Sequence, residues 1–201
     1  MSRVLAFLSG WRRQIERLGH VMNGAAGWLF VVCALFITFD VVSRRFFGFS
    51  SQATVEVTGY MLAFGIAWGL TDALARRAHI RVDVLVNRLP PGLRAYMHAL
   101  ALLFLVVLGF FLVWRCWAVV QDSWMFGARD SSALTTPLII PQGLWALGIT
   151  VFFLLAALML VEVLLLLALG QRERVDRLLG PRTVKEETAE ALEAAGMAPP
   201  R

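Results

Sequence analysis

Charged residues are scarce in this chain of 201 residues. Asp, Glu, Lys and Arg together make up 16% of it, whereas soluble domains carry about a quarter. Hydrophobic residues make up 59%, and the mean hydropathy is +0.70. Because so little of the chain is polar, the composition predicts that water is not its main solvent.

Residues that carry chemistry are also few. The two cysteines, Cys33 and Cys116, lie far apart in separate apolar stretches, which argues against a thiol oxidoreductase and favours a packing role. Of the three histidines only His98 lies within an apolar stretch, so a pair of haem ligands facing each other across the membrane is not available. There is no glycine loop of the phosphate-binding type. The sequence therefore predicts no enzyme, and no cofactor or metal site in this chain.

Four long apolar stretches are what the chain does have. A helix rises about 1.5 Å per residue, so crossing a bilayer core of about 30 Å takes about 20 apolar residues. The stretches that meet this length cover about residues 21–42, 53–75, 95–117 and 141–169. They are continuous and rich in Leu, Ala and Phe, whereas a membrane barrel has many short alternating strands. The predicted fold is an all-α membrane protein with four transmembrane helices in residues 21–170.

The segment before the first span, residues 1–20, has the pattern of an amphipathic helix. Its apolar residues recur at helical spacing: Val4, Leu8, Trp11, Ile15 and Leu18. Its other face carries Arg12, Arg13, Glu16 and Arg17. This pattern predicts an interfacial helix that lies along the cytoplasmic lipid headgroups. The alternative is a helical extension of the first span.

Residues 171–201, after the fourth span, form a different kind of segment. It begins with basic residues, and after Gly180 its composition shifts to Pro, Thr, Glu, Ala and Met. Four glutamates fall close together there: Glu186, Glu187, Glu190 and Glu193. We expect a cytoplasmic juxtamembrane segment followed by a flexible, solvated tail.

The basic residues predict the orientation of the chain. Most of the 19 lie before the first span, between the second and third spans, or after the fourth. The loops on the opposite side hold Arg44, Arg45 and Arg129. Because cytoplasmic loops are enriched in Lys and Arg, both termini and the middle loop are predicted to be cytoplasmic. The net charge of +5 is thus explained by basic residues on the predicted cytoplasmic side of the membrane, and it does not indicate nucleic-acid binding.

Ionisable residues at the ends of the spans are the candidate structural or partner-docking sites. Three pairs are spaced four residues apart, which places each pair on one helical face. These pairs are Asp40 with Arg44, Asp72 with Arg76, and His79 with Asp83. Glu56 opens the second span near the positive end of the helix dipole, and we expect it to anchor Arg44 or Arg45 across the short loop.

Glu162 is the one acidic residue well inside the fourth span. An ionised carboxylate is costly at that depth unless it is solvated or paired. Three roles are open to it: extending to the headgroup region, binding an arginine within the chain, or facing a partner subunit.

The order of these features resembles the small membrane subunit of tripartite ATP-independent periplasmic transporters, the DctQ family. The resemblance rests on separated pieces over roughly residues 20 to 170. They are Arg44-Arg45-Phe46-Phe47-Gly48, Glu56 at the start of the second span, His79-Ile80-Arg81-Val82-Asp83, and Leu89-Pro90 before Arg94.

The resemblance implies a non-catalytic helper in the bacterial inner membrane. In that family the chain packs beside a large multi-span permease, and a soluble periplasmic protein captures the substrate. Uptake of small organic acids is driven by an ion gradient, and the sodium and substrate sites belong to the large subunit. Membrane lipids are the remaining expected partner.

Two other functions stay open on the sequence alone. One is a membrane anchor of a redox enzyme that binds haem or quinone, which a Soret band in the purified chain would support. The other is a small self-associating channel or assembly factor that uses the glycines of the second span as its interface. Co-purification with a large permease would argue against this last function.

Overall fold

The computed structural model describes residues 2–49, 51, 53–77, 90–131, 134–180, 188 and 192. Within them the chain is helical, and the only β-type pairing is an isolated bridge between Arg129 and Pro137. The helices are α1 (Ser2–Phe47), α2 (Thr54–Ala75), α3 (Pro91–Met125), α4 (Ile139–Ala168) and α5 (Arg172–Leu179). The first four are long and apolar enough to cross a membrane. The predicted all-α membrane fold with four spans is confirmed.

Proline and glycine mark the ends of several helices. Pro91 is the first residue of α3 and Pro141 lies in the first turn of α4, where a missing backbone N–H costs nothing. Gly48 and Gly170 follow the ends of α1 and α4 with φ of +68° and +71°. A left-handed residue of this kind ends a helix readily when it is glycine.

Helix α1 joins the N-terminal segment to the first span. Residues 1–20 were expected to form either an interfacial helix or a helical extension of the first span, and the structure has one uninterrupted helix over Ser2–Phe47. The segment holds no proline, and its glycines do not break the helix. At 46 residues α1 is about 69 Å long, more than twice the thickness of a bilayer core. Its amphipathic N-terminal part therefore extends beyond the first span or tilts strongly, and its interfacial location stays a prediction.

Helix α4 is the centre of the bundle. It packs against α1, α2, α3 and α5, while α2 packs against both α1 and α4. In the apolar 18-residue stretch of α4, half of the residues are buried within the chain, compared with 11% in the corresponding stretch of α1. The predicted fourth span is thus an interior helix, whereas α1 leaves most of its apolar surface uncovered.

Two hydrophobic clusters hold the helices together. The larger joins the second half of α4 to the start of α3, and it includes Leu74 of α2 and Val175 and Leu179 of α5. The smaller joins α2, α3 and the start of α4 around Ala67 and Cys116. Cys116 is a buried free thiol, in keeping with the packing role expected for it.

Candidate functional site

The predicted pair of Asp40 and Arg44 is present near the end of α1. Arg44 Nη2 donates to Asp40 Oδ2 at 2.8 Å, and the backbone N–H of Ser51 donates to Asp40 Oδ1 at 2.7 Å. Asp40 is buried, with 3% of its surface exposed. The carboxylate therefore fastens the loop between α1 and α2 back onto α1, in addition to neutralising Arg44. Arg45 is exposed on the helix surface beside it.

Glu56 is buried at the start of α2 and contacts Tyr60 of the same helix, while its expected contact with Arg44 or Arg45 stays a prediction. The hydroxyl of Tyr60, one turn later, lies 3.1 Å from Glu56 Oε1 and 2.5 Å from Asp130 Oδ2. A phenol has one proton and donates to one of these carboxylates at a time. Tyr60 thus links α2 to the loop between α3 and α4. Sequence reasoning missed Tyr60, although its spacing of four from Glu56 was available as a signal.

A polar cluster joins α1 to α2 near the end of α2. Arg76 Nε donates to Asp72 Oδ2 at 2.8 Å, which is the pair predicted from spacing. The Asn23 side chain of α1 donates to the same oxygen at 2.8 Å. His20 Nδ1 lies 3.5 Å from Asp72 Oδ1 and 2.9 Å from Arg76 Nη2. Asp72 is buried, and a buried carboxylate is costly unless it is hydrogen-bonded. These contacts supply the hydrogen-bond partners that the surrounding apolar side chains lack.

Glu162 binds an arginine within the chain, one of the three roles left open for it. Arg12 Nε donates to Glu162 Oε2 at 2.9 Å, and Arg12 Nη1 donates to Glu16 Oε1 at 2.6 Å. Both partners of the Arg12–Glu162 pair are largely shielded from solvent. The amphipathic segment of α1 is therefore joined to the interior helix α4 by a charged hydrogen bond.

The short helix α5 folds back on the start of α3. Arg94 donates to Asp176 Oδ2 through two nitrogens, with Nε at 2.9 Å. The guanidinium of Arg172 lies 5.5 Å from the centre of the Tyr96 ring. Arg77 Nη1 donates to the carbonyl oxygens of Arg177 and Gly180, which satisfies groups at the C-terminal end of α5. The juxtamembrane part of the predicted segment 171–201 is thus an ordered helix up to Leu179.

Some predicted site residues lie outside the described part of the chain. His79, Arg81 and Asp83 are among them, so the pairing of His79 with Asp83 stays a prediction. The tail expected after Gly180 also lies almost entirely outside it. Among the residues that are described, no group of three or more His, Cys, Asp or Glu side chains is arranged to hold a metal ion.

Two apolar stripes remain uncovered on the outside of the bundle. Six exposed residues of α1 recur every three or four positions: Trp28, Val31, Leu35, Phe39, Val42 and Phe46. A similar exposed stripe on α3 consists of Leu93, Leu100, Phe104, Val107, Phe111 and Trp114. Stripes of this kind in a helical membrane protein face lipid or another subunit.

Comparison with known protein families identifies a relationship over most of the membrane domain. The family model described as "Tripartite ATP-independent periplasmic transporters, DctQ component" matches residues 33–168, which is more than half of the chain. No curated protein and no solved structure matches the chain. The matched range runs from the second half of α1 to the last residue of α4.

Proposed function

The chain belongs to the DctQ component family of tripartite ATP-independent periplasmic transporters, and on that premise we propose that it is the small permease subunit of such a transporter. It is a multi-pass protein of the inner membrane. In the proposed complex it packs beside a large multi-span permease, and a periplasmic binding protein delivers a small organic acid. The large subunit binds sodium and substrate and couples uptake to the ion gradient.

The contrast between the interior and the surface of the bundle supports a scaffolding role. Every buried carboxylate in the described part of the chain, those of Asp40, Glu56, Asp72 and Glu162, contacts a hydrogen-bond donor of this chain. These groups stabilise contacts between helices and loops, whereas a translocation path needs polar groups that are available to a solute at mid-depth. The apolar stripes of α1 and α3 are the surfaces that offer contact to a large membrane partner.

A physical role for such a helper follows from its shape. A transporter that carries substrate by moving one part against another needs a static part that resists movement in the bilayer. Four packed helices with wide apolar faces enlarge that static part. The ordered loop of Ala128, Arg129 and Asp130 is proposed to touch the binding protein, because it is predicted to be periplasmic and Tyr60 holds it near α2.

The proposed orientation places both termini in the cytoplasm. We expect green fluorescent protein fused after Arg201 to fluoresce, because this fusion folds in the cytoplasm and fails to fold after export through the general secretion pathway. Alkaline phosphatase fused at the same position should be inactive, because it requires periplasmic disulfides. The reverse pattern of the two activities would contradict the orientation.

Reconstitution into lipid vesicles tests the proposed function. The purified chain alone, under a sodium gradient, is expected to accumulate none of a panel of dicarboxylates, sialic acids and 2-oxo acids, because its buried carboxylates are engaged by donors within the bundle. Vesicles that also hold the large permease, supplied with the binding protein, should accumulate one class of acid. Vesicles with the permease and binding protein but without this chain are the matched control, and their uptake should be much lower. Robust accumulation by the chain alone would contradict the proposal.

A further inference from the structure

A cavity lies where the N-terminal part of α1 meets the end of α4 and the helix α5. Its volume is about 720 Å³. One wall is apolar and includes Leu5 of α1 and Leu169 just after α4. The lining also includes the polar side chains of Gln171, Arg174 and Arg177. The cavity is thus amphiphilic, with alkyl groups and guanidinium groups lining the same space.

Two arginines of α5 line this cavity. Arg174 and Arg177 are three residues apart and so share one face of α5, opposite the buried Val175 and Leu179. No acidic side chain in the described part of the chain pairs with either guanidinium. Glu162 also lines the cavity, but its carboxylate accepts from Arg12 at 2.9 Å. The cavity therefore offers two planar cations suited to a phosphate group.

Gln171 adds a second, independent feature. Its Oε1 is buried and has no hydrogen-bond partner among the described residues, although it lines the same cavity. A buried acceptor without a donor is costly, and rotation of this side chain toward the cavity would let a ligand hydroxyl satisfy it. The arginines and Gln171 together match a group that carries both a phosphate and a hydroxyl.

The position of the cavity indicates a lipid as its occupant. It opens where the apolar run of α4 ends at Leu169, which is where the headgroups of a surrounding bilayer lie. A soluble phosphate would leave the leucine wall in contact with water, whereas the first methylenes of an acyl chain would cover it. Basic pockets between membrane helices commonly bind anionic headgroups on the cytoplasmic side.

We propose that this cavity binds the headgroup of an anionic glycerophospholipid of the phosphatidylglycerol class. Arg174 and Arg177 hold the phosphate, Gln171 accepts from a glycerol hydroxyl, and the acyl chains run along the leucine wall. The bound lipid fills the space between α1 and α5 and so helps to fix the amphipathic segment of α1 on the bundle. This site is independent of the large permease, so it can fail while the proposed transport function holds.

Native mass spectrometry of the purified full-length chain tests this site. Wild-type protein is titrated with phosphatidylglycerol and, separately, with phosphatidylcholine of the same acyl chains. We expect Arg174→Gln/Arg177→Gln to weaken phosphatidylglycerol binding roughly tenfold or more, since two charge-assisted hydrogen bonds are lost. The control is Arg13→Gln/Arg17→Gln, which removes the same charge from exposed positions that line a different cleft on α1. Its binding should equal that of wild type, and both variants should keep the wild-type melting temperature without lipid.

Three results would overturn the proposal. Equal binding of the two lipids would show that the headgroup is not selected. Equal weakening by the two double variants would show that the whole basic surface attracts the lipid. Binding of glycerophosphoglycerol, which has no acyl chains, as tightly as the intact lipid would assign the cavity to a soluble phosphate ester.

Discussion

Replacing Gly148 with valine is expected to cause one of the largest losses of stability in this bundle. A Cβ atom at Gly148 would lie 2.9 Å from the carbonyl carbon of Ala67 and 2.7 Å from Trp68 Cδ1. The backbone of Ala67 cannot move aside easily. The Trp68 indole is also held in place, because its Nε1 donates to the Leu144 carbonyl at 2.9 Å. Overpacking of this kind costs about 3 kcal/mol, and here it would separate α2 from α4.

The same helix supplies the matched control. Gly143 also lies in α4, but a Cβ there would have no other atom within 4 Å. Unfolding of Gly148→Val and Gly143→Val, titrated with denaturing detergent in mixed micelles, should show a large loss for the first variant only. Equal losses would mean that the valine side chain is destabilising anywhere on α4, and that contact between α2 and α4 does not decide the outcome.

The second large effect is expected from Arg12→Met. This change leaves the Glu162 carboxylate buried against α1 without its closest cation, and breaking a buried pair in this way costs about 3 kcal/mol. Met keeps most of the length and apolar character of the arginine side chain, so the charged contact is what the variant removes. The measurement is again the free energy of unfolding in mixed micelles.

Two further variants make this test specific. Arg13→Met changes the neighbouring exposed arginine and should alter the free energy of unfolding by no more than about 0.5 kcal/mol. Arg12→Met/Glu162→Gln removes both charges and should recover much of the loss, because the unpaired carboxylate is gone. A double variant as unstable as Arg12→Met alone would show that packing of the arginine stem, and not the charge, is what α1 loses.

The outcome of the sequence predictions depended on how local each feature is. The pairs Asp40–Arg44 and Asp72–Arg76 are four residues apart within one helix, so helical geometry alone brings each pair together. Glu56 is different, because the arginine expected to contact it lies across a loop, and that contact stays a prediction. The structure gives Glu56 a contact with Tyr60 of its own helix, and Arg44 donates to Asp40.

The N-terminal segment shows a second limit. The alternation of apolar and basic residues over residues 1–20 predicts an amphipathic helix, and that segment is helical. Periodicity does not specify whether the helix bends at its end, because no residue near position 20 forces either outcome. The continuous α1 is held where it is by contacts with other helices, among them Arg12 with Glu162 and Asn23 with Asp72.

The sequence by itself determined that the protein lies in a membrane, because this depends on composition. It also determined the number of spans, which depends on the length of the apolar runs, and the ion pairs within single helices, which depend on residue spacing. Only the tertiary structure decided that α4 is interior, that Tyr60 reaches Asp130, and that Arg12 meets Glu162. These last two pairs are 70 and 150 residues apart in the chain. Apolar spans of similar composition can pack in many orders, and which surfaces meet depends on close contacts such as Gly148 with Ala67, which no single segment specifies.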